Sequence, residues 1–274
     1  MGVTQLWTRF LDAVEQVEAE ADAARAERGP RRLDWHVFAV IILVCVSLSI
    51  QEYYGSSSHY RVFEPLLKLF MEDAPRWLDD TFIRGDYGRL HRLFYWVSGT
   101  FFCYVALPIL YIKAVRRDRV RDYGLSVQGI LSHSWIYIGM YLLVLPALFV
   151  VGLTPSFQHT YPFYKQAHRS AYDFFAWELA YAVQFMSLEF FFRGFLIHAL
   201  KRRFGFYCIV ISTIPYCMIH FGKPMPETLG AIFAGLALGT LSLFTRSIWL
   251  GVAIHVSVAV SMDVISLWYQ GKLF

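Results

Sequence analysis

Four ionisable side chains stand where the chain is otherwise apolar, and their types suit hydrolysis. In Ser187-Leu188-Glu189-Phe190-Phe191-Phe192-Arg193-Gly194, Glu189 and Arg193 are spaced i, i+4. On a helix that spacing puts both on one face within pairing distance. His220 closes the run Pro215-Tyr216-Cys217-Met218-Ile219-His220, and His255 sits in Ile254-His255-Val256-Ser257. A carboxylate can take a proton from water, and imidazoles can hold that water or stabilise an oxyanion on a scissile carbonyl. The bland reading is a buried ion pair that locks one helix to its neighbours, with two packing histidines. Two further acids, Glu227 and Asp263, are candidate supporting groups. Glu227 opens a helix, where its charge suits the N-terminus, and Asp263 lies two turns beyond His255.

Composition identifies the elements that must hold these groups. The chain has 274 residues, 57% hydrophobic, 18% aromatic and only 17% charged. Soluble domains carry about a quarter charged residues, so this balance excludes disorder and a disulfide-stapled secreted domain. A net charge of +4 with no basic stripe gives no footprint for nucleic acid. Cys45, Cys103, Cys208 and Cys217 form no CxxC pair and read as small buried hydrophobes.

A transmembrane helix needs about 20 mainly apolar residues. About seven segments meet or approach that: Trp35–Ile50, Leu93–Val115, Ser134–Leu153, Phe174–Leu200, Phe206–His220, Glu227–Thr245 and Ser247–Tyr269. The expected fold is all-α, a polytopic transmembrane helix bundle. Ahead of it, Leu6, Trp7, Phe10, Leu11, Val14 and Val17 recur at helical spacing. They describe an amphipathic helix lying on the membrane surface. Three regions follow: a cytoplasmic segment 1–34, N-terminal spans with an outer loop over 35–173, and a core over 174–269. Lys and Arg cluster tightly at Arg9, Arg25, Arg28, Arg31 and Arg32, at Lys113 to Arg121, at Lys201 to Arg203 and at Arg246. By the positive-inside rule the N-terminus is inside. With no targeting signal in view, the expected location is a bacterial cytoplasmic membrane.

Depth links three of these residues. At about 1.5 Å per residue, Glu189 lies roughly 15 Å, His255 roughly 12 Å and His220 roughly 20 Å from the inner ends of their spans. All fall in the middle of a core about 30 Å thick, where each ionisable group costs a few kcal/mol and is a functional hypothesis by default. The Phe206–His220 segment is short, so irregular backbone at Phe221-Gly222-Lys223-Pro224 would line a wet cavity.

At these residues the chain resembles the CAAX-protease and bacteriocin-processing (ABI) intramembrane glutamic endopeptidases. Their Glu-Glu-x-x-x-Arg motif appears as Leu188-Glu189-Phe190-Phe191-Phe192-Arg193, followed by Gly194. Their Phe-x-x-x-His appears as Tyr216 to His220, and their His-x-x-x-Asn begins at His255. Ala231 to Gly239 is similar to the small-residue helix placed between them, and Arg246-Ser247-Ile248-Trp249 to its exit. The resemblance runs from about Trp177 to Asp263. It implies a metal-free endopeptidase without cofactor, acting on a membrane-associated protein or peptide in the lipid bilayer, with Glu189, Arg193, His220 and His255 at the site. Two positions depart from the family: Leu188 replaces the glutamate usually assigned to activating water, and Ala259 replaces the asparagine. Glu189 then takes over the base role, with Asp263 or Glu227 substituting elsewhere. Three alternatives stay open: a non-catalytic scaffold or immunity factor, a zinc site of two histidines and a carboxylate, and a proton-coupled carrier. The carrier should show repeated halves, and the chain has no such symmetry.

Overall fold

Long apolar runs unbroken by charge leave the backbone no partner but itself, and helix is the result. A computed structural model describes residues 3–28 and 33–273. Arg31 and Arg32 of the inner basic set lie outside the described residues, as do the side chains of Leu6, Trp7, Arg9 and Arg28. The long helices are α1 (Val3–Arg28), α2 (Trp35–Tyr53), α3 (Gly88–Arg116), α4 (Ser134–Gly152), α5 (Ala171–Phe204), α6 (Tyr207–Met218), α7 (Met225–Thr245) and α8 (Trp249–Tyr269). Among the described residues six helices are long and apolar enough to cross a membrane. The expected fifth span is the shortfall: α6 has 12 residues, which at about 1.5 Å each reach about 18 Å. The chain is a multi-pass integral membrane protein built from helices.

The helices divide into two compact units. The first takes in Met1–Cys45, Pro108–Ser132 and Glu189–Gly251. In it the amphipathic α1 packs along the end of α5 and the start of α6. Phe10 meets the Phe206 and Phe244 rings edge-on at 6.2 and 5.5 Å. Glu18 Oε1 accepts the Phe206 amide at 2.6 Å, a carboxylate at a helix N-terminus where the dipole favours it. Arg25 donates to the Arg203 carbonyl at 2.9 Å. His36 joins three helices, with Nε2 on the Ala199 carbonyl at 3.0 Å and Nδ1 on the Tyr111 hydroxyl at 2.7 Å.

The segment before α8 is pinned by backbone. Ile248 donates to the Gly124 carbonyl at 2.8 Å, and Ser126 to the Arg246 carbonyl at 3.1 Å. Gly124 has φ +78°, and a Cβ there would meet Ile248 at 2.9 Å and the Gly194 Cα at 3.1 Å. No side chain fits that crossing.

The second unit takes in Val46–Leu107, His133–Leu188 and Val252–Phe274. Its core gathers Leu90, Leu93, Tyr164, Phe174, Trp177, Tyr181, Ala259 and Leu267. Tyr164 donates to Asp173 at 2.5 Å, and Arg169 pairs with Asp173 at 2.9 Å. Ser266 donates to the Tyr161 carbonyl at 2.5 Å. Of the cysteines, Cys103 and Cys208 are buried as expected, whereas Cys45 is exposed on α2.

Candidate active site

The middle of α5 is not regular helix. Phe190–Leu196 forms a widened π-type turn with every residue buried. Such a turn tilts carbonyls off the α-helical ladder, and they need other donors. Two serines supply them. Ser212 on α6 donates to the Phe192 carbonyl at 2.8 Å, and Ser242 on α7 to the Arg193 carbonyl at 3.0 Å. Three helices of the first unit are therefore fastened around the residues that carry the charge.

Glu189 stands at the entry to this turn and Arg193 inside it, 0% and 1% exposed. Arg193 Nη1 lies 3.3 Å from Glu189 Oε1. That is an ion pair longer than the ~2.8 Å of a tight charge-assisted hydrogen bond. The guanidinium also lies over Tyr216 of α6, its central carbon 3.7 Å from the ring centroid. A desolvated cation over an aromatic face gains about 2 kcal/mol. Behind the carboxylate is backbone: a Cβ on Gly251 would come within 2.7 Å of Glu189 Oε2. Glycine at 251 makes the room in which that oxygen sits.

Tyr216 leads on to His220. Their rings meet edge-on at 4.8 Å, and His220 Nδ1 lies 2.8 Å from the Tyr216 carbonyl oxygen. A carbonyl only accepts, so Nδ1 carries the proton and the neutral ring's lone pair falls on Nε2. The His220 carbonyl accepts from Thr228 Oγ1 at 2.9 Å and from the Lys223 amide at 3.1 Å. These bonds hold the irregular segment between α6 and α7. Glu227 pairs with Lys223 at 2.6 Å in the first turn of α7.

Glu189, Arg193, Tyr216 and His220 thus form one connected group in the first unit. Residues 170–261 match the family model described as type II CAAX prenyl endopeptidase Rce1-like. Over these residues the chain is similar to that family. No curated protein and no solved structure matches the chain.

In the matched segment Leu188 and Ala259 occupy the two departing motif positions. Each is 3% exposed, and Ala259 lies in the apolar core of the second unit. His255 belongs to the second unit, half-buried and stacked on Phe185 at 5.0 Å with 20° between the rings. Asp263 is in that unit too, 0% exposed, its Oδ2 accepting from the Trp177 indole at 2.7 Å. Glu178, 8% exposed, is a second buried acid of that unit, near enough to interact electrostatically with Asp263. The sequence reading passed over Glu178, although it is an ionisable group inside a span and carried the same signal as Glu189. Tyr216 was recognised as a motif position without a role. Its partner lies 23 residues away on another helix, which no local pattern encodes. Among the described residues no group of three His, Cys, Asp or Glu side chains is placed to hold a metal ion.

Proposed function

We propose that the protein is an intramembrane endopeptidase that hydrolyses a peptide bond of a membrane-associated protein or peptide, with Glu189 as general base. One observation carries this: a carboxylate held by Arg193 and a histidine with its lone pair on Nε2 are joined through Tyr216 in the family-matched segment. In this reading Glu189 takes a proton from water whose oxygen attacks the scissile carbonyl, and returns it to the amide nitrogen as the C–N bond breaks. The products are a new carboxylate and a new amine.

The His220 tautomer refines the role expected for it. A neutral ring that donates through Nδ1 to backbone can only accept at Nε2, so His220 orients the attacking water. The family resemblance implies oxyanion stabilisation as the role of His255. Arg193 is the counter-ion of the Glu189 carboxylate. No metal enters this mechanism. We read the N-terminus as facing the cytoplasm of a bacterial cell.

A non-catalytic scaffold is the rival, favoured by Leu188 at the position usually held by the water-activating glutamate. Glu189→Ala and Glu189→Gln, expressed in the source cell, separate the two. Membrane and released peptides are compared with the wild type by mass spectrometry. A protein that stays uncleaved in both variants, at normal accumulation, supports the peptidase and identifies its substrate. Unchanged peptide profiles with inserted variants would sink it.

A further inference from the structure

The second unit has a cationic cavity that the peptidase reading does not use. Arg89 and Arg92 are the second and fifth residues of α3, three apart and so on one face. A helix N-terminus already carries partial positive charge, so two cations there are unfavourable, and they also repel each other. No carboxylate pairs with either guanidinium among the described residues; the charge that Arg89 feels most is that of Arg92. The field extends further. Burial and the neighbouring Arg89 hold the Lys165 ammonium below its usual range, Lys272 acting in the same direction and Asp263 against it.

These arginines line a cavity of about 480 Å³ together with Ser56, Ser57, Leu93, Trp96 and Phe163. That volume falls within the ~300–1,000 Å³ of small-molecule sites. Trp96 and Phe163 meet edge-to-face at 6.2 Å and make a firm apolar wall. Two guanidinium forks suit the paired oxygens of a phosphate, and two hydroxyls can add donors. A phosphate alone fills a fraction of this space, and the aromatic wall calls for an apolar portion beside the charge.

We propose that this cavity binds a phosphate group carried on an apolar body, either a phospholipid headgroup or a soluble phosphate ester. The proposal is independent of the peptidase reading. The full-length protein is placed in nanodiscs of phosphatidylcholine with or without phosphatidylglycerol, and separately in detergent with inorganic phosphate. Retained lipid is read by native mass spectrometry and the unfolding midpoint by thermal shift.

The wild type should retain phosphatidylglycerol about tenfold better than the Arg89→Gln/Arg92→Gln variant and gain a midpoint rise that the variant lacks. Without anion the variant should be no less stable, because a repulsion has been removed. Arg89→Lys/Arg92→Lys should keep part of the response. A response to phosphatidylglycerol alone assigns a lipid headgroup; an equal or larger response to inorganic phosphate assigns a soluble ester. Equal responses in wild type and the glutamine pair, or no response to either probe, overturn the proposal. If the pair fails to accumulate, Arg89→Gln alone, at an exposed position, is read by the same criteria.

Discussion

The Arg193 guanidinium is held between two partners, the Tyr216 ring face at 3.7 Å and the Glu189 carboxylate at 3.3 Å. A cation with a second source of stabilisation does not depend wholly on its carboxylate, so the carboxylate is left with capacity for chemistry. Tyr216→Phe keeps the ring and should change peptidase activity little. Tyr216→Leu removes it and forfeits about 2 kcal/mol of cation–π stabilisation, or about thirtyfold in rate if the loss falls on the transition state. Cleavage of the identified substrate by the three proteins is the check; equal losses in Phe and Leu would point to the hydroxyl instead.

Removing the acid should harm both activity and stability. Glu189→Gln leaves Arg193 charged, 1% exposed and without its counter-ion, at a cost of about 3–5 kcal/mol. Adding Arg193→Met should recover most of the unfolding midpoint and none of the cleavage. Recovery of both would mean that the pair is structural and that the base lies elsewhere.

Gly251 should separate activity from stability in the opposite sense. A Cβ at 251 meets Glu189 Oε2 at 2.7 Å, and this atom is the mobile end of a side chain. The carboxylate can step aside at little energetic cost but cannot stay where the proposed proton transfer needs it. Gly251→Ala should therefore keep its unfolding midpoint and lose at least about a hundredfold in activity, since small misplacements cost that much. A midpoint loss in proportion to activity would contradict this account.

Much of the architecture follows from apolar runs alone, because a chain in lipid has few other options. The Glu189–Arg193 pair followed from i, i+4 spacing, which survives the π-type turn. The turn itself was not legible: Phe190 to Leu196 reads as plain apolar helix, and what sustains the turn is Ser212 and Ser242, on other helices. Small polar residues within apolar spans look the same in sequence whether they serve a carbonyl or face their own helix. Gly251 was equally silent, since its meaning lies in a close approach by Glu189, 62 positions earlier.

The two serines should matter to stability. Each bond from a hydroxyl to a π-turn carbonyl is worth about 1 kcal/mol net, and more where its loss leaves a buried acceptor. Ser212→Ala and Ser242→Ala should each lower the unfolding midpoint, and the double variant should fall by less or more than the sum, because both bonds hold one turn. Strict additivity in chemical denaturation would show that the carbonyls are satisfied independently.

In the second unit the Trp177 indole donates to Asp263 Oδ2 at 2.7 Å, and both side chains are fully buried. Trp177→Phe removes the donor and should cost about 1–3 kcal/mol of stability. Asp263→Leu removes the acceptor and strands the buried indole N–H, a loss of at least the same size. The double variant should lose less than the sum of the two, because both single changes break one bond. Thermal unfolding of the three variants in one detergent checks this. Strictly additive losses would show that the indole–carboxylate bond contributes nothing to stability at this site.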